Sequence, residues 1–401
     1  MRKLAGNALR GFGLAAGVLA TACAHGAPGG ETAQAALLCE TSAVAISTDF
    51  EGAGQHGCAL SADGPVLTVW PEASIAGPIN PSPWYAFQAD IRSRAPVSLR
   101  LDYAGYEHRY HPWVSRDDGD SWIQLPADAV SVGEEGHIAT LTLPAGPGEF
   151  LVAGRPLIAP AAMADWAEGL AKRQDMDLVS YGESLDGRDL TALVSGPETA
   201  KRLVVAMTGQ HPPEQSGVAA FKAFSEAFMG DLPPETRADT RVILLPLVNP
   251  DGRARGHWRH NNGGLDLNRD WRNPTQPATK AVTAFLSREA QGREAVAFMD
   301  FHSTQKTLVY TPPFEENFAD MSFPRELKAA FDAGIEPDPE WIAGHNAEAG
   351  TSKNWALQML DVAGLTIELA DDAPEAEIAS VGELAAQTLL AFLARGPHTS
   401  N

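Results

Sequence analysis

The sequence is poor in cysteine, with only Cys23, Cys39 and Cys58 among 401 residues. None of the three stands in a setting that suggests catalysis, so cysteine-based chemistry is not expected. If Cys23 carries a lipid, the other two could form a disulfide in an oxidising compartment. Two free, buried thiols are the alternative.

Basic residues are also scarce, since 30 Lys and Arg stand against 51 Asp and Glu, and the formal net charge is -21. Binding to nucleic acid needs a basic face that neutralises phosphates, so no nucleic-acid partner is expected. The balance of 44% hydrophobic and 20% charged residues is typical of a globular protein.

The N-terminus has the pattern of a bacterial export signal over residues 1–22. A basic start is followed by the apolar run 11–20, which is too short to span a bilayer as a mature helix, and then by small residues. The stretch LATAC, ending at Cys23, resembles a lipoprotein cleavage box, which would make Cys23 the site of lipidation. We therefore expect an exported protein, periplasmic or anchored to a membrane only through Cys23. Ordinary secretion, with cleavage after Ala22 or Ala24, is the alternative.

The rest of the chain changes character twice. Residues 23–40 are rich in small residues and predict a tether. Residues 41–155 contain short β-rich runs separated by turn signals, a pattern typical of an antiparallel β-sandwich. From residue 160 to 397, predicted strands alternate with helices, which indicates an α/β/α domain with a mixed, mostly parallel sheet. A chain of this length also favours two domains.

One polar loop stands out, residues 249–271 (NPDGRARGHWRHNNGGLDLNRDW), because it concentrates arginines in an acidic chain. It follows the apolar run 242–248, which reads as a buried strand. Long polar loops at strand ends are where α/β sheets usually hold their sites, and arginine suits carboxylates. The alternative is a solvated loop whose arginines pair with nearby acids.

Candidate metal ligands follow two other predicted strands. His211 and Glu214 come after the run 203–208, and His302 comes directly after the run 296–301. Two histidines and one carboxylate with an open fourth position are typical of a catalytic zinc site. The neighbouring Asp300 could orient one of the ligands or could simply cap the strand.

Glu368 lies within an otherwise apolar strand, LTIELA. A carboxylate in such a strand costs free energy unless it has a partner or a task. As a task, it could act as the general base that takes a proton from an activated water. The alternative is a glutamate on an edge strand that faces water.

The motifs GQHPPE, NPDG, HWR, DLNRDW, DFHS and TIELA, in that order, resemble the zinc carboxypeptidase family, whose members remove C-terminal residues. The resemblance covers roughly residues 160–395, and GESLDGR at 182–188 matches the opening of that catalytic domain. The upstream segment, with SPWYAF and HPW, is similar to the β domain of the cytosolic carboxypeptidase group. Some members of that group remove glutamates.

The resemblance implies roles for individual residues. His211, Glu214 and His302 would hold one Zn2+ ion. Arg259 would polarise the scissile carbonyl and stabilise the oxyanion. Glu368 would be the base, and then the acid that protonates the departing amine.

Four further positions would bind the substrate. Asn268 and Arg269 would hold its free carboxylate. The position of a mobile substrate-binding tyrosine in many members falls on Asn346 in this chain. The residue at the floor of the side-chain pocket aligns with Lys353, and a cation there would favour Glu or Asp at the C-terminus. The alternative for Lys353 is a side chain in the first turn of a helix that points to water.

The sequence therefore predicts an exported zinc metallocarboxypeptidase that acts on the C-terminus of peptides or proteins, with a possible preference for acidic residues. Stem peptides of peptidoglycan are an alternative substrate. A zinc-dependent deacylase of N-acyl amino acids is an alternative activity, and a binding protein with a decayed site is a third. The sequence leaves the oligomeric state open.

Overall fold

The computed structural model of the protein describes residues 37–77, 79–315, 319–344, 346 and 348–395. The predicted export signal, the lipidation site Cys23 and most of the expected tether lie outside the described residues. The last four tether positions, Leu37–Glu40, form a strand that pairs antiparallel with Val44–Ser47. The sequence predicted that the β-sandwich begins at residue 41, but its first strand already begins at Leu37.

The first part of the chain folds into two facing sheets. One has the strand order β1-β2-β5-β11-β7-β8 and the other β3-β4-β6-β10-β9. The bounds are β1 (Leu37–Glu40), β2 (Val44–Ser47), β3 (His56–Ser61), β4 (Gly64–Val69), β5 (Ala86–Ile91), β6 (Val97–Asp102), β7 (Trp113–Ser115), β8 (Ile123–Gln124), β9 (Val130–Val132), β10 (Ile138–Leu143) and β11 (Gly148–Ala153). The predicted sandwich is confirmed, although β4 and β6 pair in parallel.

The sandwich follows from the alternation of side chains along its strands. In β4, every second residue is buried, and β10 repeats this pattern. The buried faces of the two sheets share one apolar core, to which Ile46, Leu67, Phe87 and Leu99 all belong. A disulfide joins Cys39 of β1 to Cys58 of β3 and so links the two sheets, which decides between the two alternatives for these cysteines.

The second part is an eight-stranded mixed sheet with helices on both faces. The strand order is β12-β13-β15-β14-β16-β19-β17-β18, and the pairs within β15-β14-β16-β19 are parallel. The strands are β12 (Asp177–Glu183), β13 (Asp189–Ser195), β14 (Arg202–Thr208), β15 (Thr240–Leu245), β16 (Glu294–Thr304), β17 (Leu308–Thr311), β18 (Glu340–Ala343) and β19 (Gly364–Ala370). The predicted α/β/α fold with a mostly parallel central sheet is confirmed.

The helices cover the sheet because its central strands are apolar on both faces. Along β14, Leu203 and Val205 belong to one apolar core, and Val204 and Ala206 belong to the core on the other side. The helices are α1 (Pro160–Gln174), α2 (Gln215–Asp231), α3 (Pro234–Asp239), α4 (Pro250–Ala254), α5 (Pro277–Glu289), α6 (Ser322–Gly334), α7 (Ser352–Leu360) and α8 (Glu375–Ala394).

Two of these helices pack their apolar faces into the same core. Phe221, Phe224 and Phe228 of α2 are buried in it. Helix α8 is long and apolar enough to cross a membrane by length and composition, but Val381 and Leu389 are buried in that core. Its composition is therefore explained by packing inside the protein.

The sequence missed several elements of the second part. The hairpin of β12 and β13 and the segment β17-α6-β18 were not assigned as strands or helices. Strands of four residues such as β17 carry little periodic signal, so their place in the sheet depends on pairing with β19 rather than on their own sequence.

Gly217, in the first turn of α2, is where this helix approaches the sheet most tightly. A Cβ on Gly217 would lie 2.5 Å from the carbonyl carbon and oxygen of His302 in β16. The backbone N–H of Gly217 also donates a hydrogen bond to Ser303 Oγ at 2.8 Å. Only glycine allows this contact between helix and strand.

We therefore predict that Gly217→Ala lowers the free energy of unfolding by about 1–3 kcal/mol, since the helix must shift away from β16. The matched control is Gly230→Ala in the same helix, where the nearest atom to an added Cβ is Gln174 Nε2 at 3.9 Å. That variant should be as stable as the wild type or gain about 0.5–1 kcal/mol. Urea unfolding measures both, and equal stability of the two variants would contradict the tight contact.

Candidate functional site

The candidate metal ligands come from the ends of two neighbouring parallel strands. β14 and β16 run side by side in parallel register, with Thr208 opposite Phe301. His211 follows β14 in a tight loop, and Glu214 is the residue before α2 begins. His302 lies within β16, which continues to Thr304, rather than directly after it as the sequence predicted. The parallel register therefore places the three side chains at one edge of the sheet.

The three side chains present their donor atoms to a common point. His211 Nδ1 lies 2.7 Å from Glu214 Oε1, and His302 Nδ1 lies 2.7 Å from Glu214 Oε2. The two Nδ1 atoms are 3.2 Å apart, and one donor atom from each residue lies within 4.8 Å of the others. All three residues are buried. Two imidazole nitrogens and a carboxylate are the donor set of a catalytic zinc site, so these residues fit a zinc ion.

A second carboxylate orients each histidine. His302 Nε2 lies 2.9 Å from Asp300 Oδ2, and His211 Nε2 lies 2.9 Å from Asp266 Oδ1. Such contacts fix the ring so that the opposite nitrogen, here Nδ1, is free to bind a metal. The sequence anticipated this position for Asp300. It missed Asp266, whose partner His211 is 55 residues away in the chain.

Asp266 also connects the metal ligands to the arginines of the polar loop. Its Oδ2 accepts a hydrogen bond from Arg259 Nε at 2.8 Å, and Arg269 Nη1 lies 3.9 Å from the same oxygen. Burial acts to raise the pKa of Asp266, but His211 and then Arg259 hold it well below its usual range. Asp266 is therefore an anion that fixes both an imidazole and a guanidinium.

Asn268 and Arg269 lie on the same side of the site, in a single turn of 3-10 helix, Leu267–Arg269. Asn268 Oδ1 accepts a hydrogen bond from the backbone N–H of Ser352 at 2.9 Å, which fixes the orientation of the amide. The Arg269 side chain is 55% exposed and reaches into the open part of the site. Both residues line the cavity that also contains His211 and Glu214.

Glu368 lies in β19, between β16 and β17, so the alternative of an exposed edge strand is excluded. It is directly opposite His302 in the parallel register. Its Oε2 is buried and has no hydrogen-bond partner. Burial raises the pKa of Glu368 to about 7, and the nearby Glu214 carboxylate acts in the same direction. Glu368 is therefore a buried carboxyl group on the strand next to a candidate metal ligand.

Lys353 is the second residue of α7, and its side chain lines the site instead of pointing to water. Its Nζ donates a hydrogen bond to the backbone oxygen of Gly344 at 3.0 Å. Burial lowers the pKa of Lys353 to about 8. A desolvated ammonium group with one neutral partner is a good receptor for an anion.

Asn346 takes part in a local turn. Its side-chain oxygen accepts a hydrogen bond from the backbone N–H of Glu348, and its backbone oxygen accepts one from Asn354. Asn346 is not among the described residues that line the cavity. Its role in substrate binding stays a prediction.

All these groups except Asn346 surround or adjoin one cavity of about 630 Å³. The sequence did not predict part of the cavity lining, which includes Tyr310 of β17. Burial raises the pKa of Tyr310, and the nearby Glu368 acts in the same direction. It also missed a wall contributed by the sandwich: Asn80, Pro81, Ser82 and Arg109. Arg109 Nε donates to Asp371 Oδ2 at 2.8 Å, which ties this wall to the end of β19. The motif SPWYAF contained Ser82, but nothing in its spacing showed that it would face the metal ligands.

Comparison with known proteins shows the family of the chain. The model of the zinc carboxypeptidase family matches residues 163–388, and the chain belongs to that family. Its sequence is 33% identical over 108 residues to cytosolic carboxypeptidase 2 of Danio rerio, 26% of this chain and 15% of the relative. It is 27% identical over 175 residues to cytosolic carboxypeptidase-like protein 5 of Mus musculus, 40% of this chain and 19% of the relative. The chain thus spans a minor part of these relatives.

Solved structures share the fold over most of the chain. A metallo-carboxypeptidase from Burkholderia cenocepacia is similar with a TM-score of 0.74 and 17% identity, over 88% of this chain and 100% of that one. A metallo-carboxypeptidase from Pseudomonas aeruginosa, in complex with (2-guanidinoethylmercapto)succinic acid, has a TM-score of 0.70 and 20% identity, over 87% of this chain and 99% of that one. At these identities the likeness shows the fold, including the sandwich.

The contact between Asp300 and His302 yields a test of the metal site. We predict that Asp300→Asn weakens zinc binding about 10–100-fold, because the ring loses the carboxylate that orients it. The matched control is Asp165→Asn, since Asp165 is an exposed residue of α1 far from the metal ligands in the fold. Competition with a chromophoric chelator measures both affinities. Unchanged affinity in Asp300→Asn would show that the ring is held in place by other contacts.

Proposed function

We propose that the protein is a zinc-dependent carboxypeptidase that hydrolyses the last peptide bond of peptides or proteins and prefers an acidic C-terminal residue. The observation that carries the proposal is the placement of Arg259, Asn268 and Arg269 in one cavity with the metal ligands. A group that binds a chain end beside a hydrolytic metal selects the terminal bond.

The residues that would hold zinc are His211, Glu214 and His302, whose donor atoms converge. A zinc ion bound there supplies Lewis-acid chemistry, polarising the scissile carbonyl and the attacking water. Glu368 takes one proton from that water as it attacks the carbonyl carbon. The same proton then passes from Glu368 to the nitrogen of the departing amine, so the carboxylate is regenerated as the peptide bond breaks.

The arginines divide the negative charges of the substrate between them. Arg259 is buried and fixed by Asp266, so its guanidinium is preorganised for the charge that develops on the carbonyl oxygen. Arg269 is more exposed, and with Asn268 it suits the free carboxylate that enters from solvent. Because different residues bind the terminal carboxylate and the oxyanion, a substitution can change substrate affinity without changing transition-state stabilisation.

The acidic preference is supported by Lys353. Arg259 is assigned to the oxyanion, and Arg269 is assigned to the terminal carboxylate. The cavity contains two further cationic groups, the ammonium group of Lys353 and the guanidinium of Arg109. Arg109 is already paired with Asp371. Among the described residues, Lys353 has a backbone oxygen as its hydrogen-bond partner and no paired carboxylate. A carboxylate on the substrate side chain would complete its coordination.

We predict that Glu368→Gln lowers kcat about 10²–10⁴-fold while the protein still binds one zinc ion per chain. The amide keeps the size of the side chain but cannot accept and return a proton. Glu383→Gln, on the exposed face of α8, is the matched control and should match the wild type. Initial rates with a short peptide and zinc analysis by mass spectrometry measure the two properties. Turnover within twofold of the wild type would remove Glu368 from the mechanism.

We predict that Lys353→Met reduces the ratio of kcat/KM for peptides ending in Glu over peptides ending in Leu by about 10–100-fold, the value of one charge-assisted hydrogen bond. Lys280→Met, an exposed lysine on α5, is the control and should leave the ratio unchanged. Peptides that differ only in the last residue isolate the effect. If the wild type hydrolyses peptides ending in Glu and in Leu equally well, the acidic specificity is refuted. The proposal that the protein is a carboxypeptidase is not affected by that result.

The same ratio should depend on pH in the wild type. Lys353 is charged below its pKa, about 8 in the free protein, and a bound carboxylate raises that value. The preference for Glu should therefore be full at pH 7 and decline as pH rises above 8. In Lys353→Met the ratio should be flat over this range.

A further inference from the structure

Glu72, in the segment between β4 and β5 of the sandwich, inserts its carboxylate into the polar loop that carries Arg259. Its Oε2 accepts the backbone N–H of Trp258 at 2.6 Å. Its Oε1 accepts the backbone N–H of Arg259 at 2.9 Å and that of His260 at 2.5 Å. Glu72 is 6% exposed and comes from 186 residues upstream of Trp258.

Three successive backbone N–H groups that converge on one anion form an anion-binding nest. Such groups must be paired when they are buried, and in this loop neither a helix nor a strand pairs them. A carboxylate is the only kind of side chain with enough acceptor sites and negative charge for all three. The conformation of the loop at Arg259 therefore depends on a residue of the sandwich.

Other contacts hold the same loop against the sandwich. The indole of Trp258 is buried in the sandwich core, and its Nε1 donates to the backbone oxygen of Trp84 at 3.1 Å. Gly256, at φ +59°, approaches so closely that a Cβ would lie 2.1 Å from the backbone oxygen of Ala53. The N-terminal side of the loop is thus fixed against the sandwich, and Glu72 extends this attachment to Arg259 and His260.

The contact between Glu72 and the loop can affect the reaction because Arg259 is the middle one of the three residues that Glu72 binds. The backbone of Arg259 is held by Glu72, and its side chain is held by Asp266. Two fixed points determine where the guanidinium stands in the cavity. Displacement of a catalytic group by about 1 Å can cost about 10²-fold in rate. Arg269, ten residues further on, is not held by Glu72.

We propose that Glu72 is a positioning residue for Arg259, through which the sandwich sets the rate of the reaction. The proposal rests on the proposed function, because Arg259 must act on the transition state for its position to matter. It assigns the sandwich a part in transition-state stabilisation that is distinct from its contribution to the cavity wall. Substrate binding through Asn268 and Arg269 is unaffected.

Steady-state kinetics of Glu72→Gln test this proposal. The amide retains the shape and one acceptor but turns an NH2 group toward a backbone N–H. We expect kcat to fall about 10–100-fold, KM to stay within about threefold and zinc content to stay at one per chain. Glu149→Gln, at an exposed position of β11, is the matched control and should match the wild type. A rise in KM with unchanged kcat would overturn the proposal.

A double-mutant cycle shows whether Glu72 acts through Arg259. If it does, Glu72→Gln should change kcat less than twofold in an Arg259→Ala background, because the group that it positions is already gone. Independent, multiplicative losses would mean that Glu72 acts elsewhere, and the proposal would fail. Loss of the fold alone does not produce this dependence.

Hydrogen exchange gives a measurement that needs no activity. The amides of Trp258, Arg259 and His260 should exchange slowly in the wild type and faster in Glu72→Gln, while the amides of β11 do not change. Fast exchange of these amides in the wild type would overturn the proposal even if the variant did not fold. If the wild type hydrolyses no peptide, the proposed function fails, and the exchange result still decides whether Glu72 holds the loop.

Discussion

The parallel pairing of β14 with β16 is the constraint on which the site depends. It sets Thr208 beside Phe301, and from this register the loop after β14 brings His211 next to His302. The close approach of α2 at Gly217 then places Glu214 between the two rings. A shift of one residue in the register would turn His302 to the other face of the sheet.

A second constraint is electrostatic. The chain is strongly acidic, yet the cavity contains three arginines and a lysine. These cations differ in whether a nearby carboxylate pairs with them. Arg109 is paired with Asp371 and Arg259 with Asp266, so both are held in place by buried carboxylates. Arg269 and Lys353 lack such a close acidic partner within the described residues. Cations held by buried carboxylates and cations without such a partner thus lie side by side in one cavity.

The sequence was informative wherever a polar residue broke an apolar pattern. His302 and Glu368 in apolar strands, and the arginines after an apolar run, marked the site because burial of such groups needs a reason. The central strands were also predictable, since they are continuous apolar runs. The family resemblance then supplied roles that spacing alone could not.

The remaining residues of the site could not be predicted from the sequence, because their roles depend on contacts between residues that are distant in the chain. Asp266, Glu72 and Arg109 are ordinary acidic and basic residues until the fold brings their partners to them. Tyr310 lies in a four-residue strand whose position is set by its neighbour. Asn346 lies in an irregular segment, where counting along the chain does not fix the position of a side chain, whereas Lys353 lies at the start of a regular helix.

The burial of Trp258 in the core of the sandwich has a consequence for how such a protein can evolve. The indole of Trp258 completes the hydrophobic interior of the sandwich, and its Nε1 donates to a backbone oxygen there. Two modules joined in this way cannot be exchanged one at a time by recombination, because either one alone would carry an exposed tryptophan or an incomplete core. The sandwich and the peptidase segment are therefore expected to be inherited as a single unit, and to diverge in step at the residues that meet around this ring.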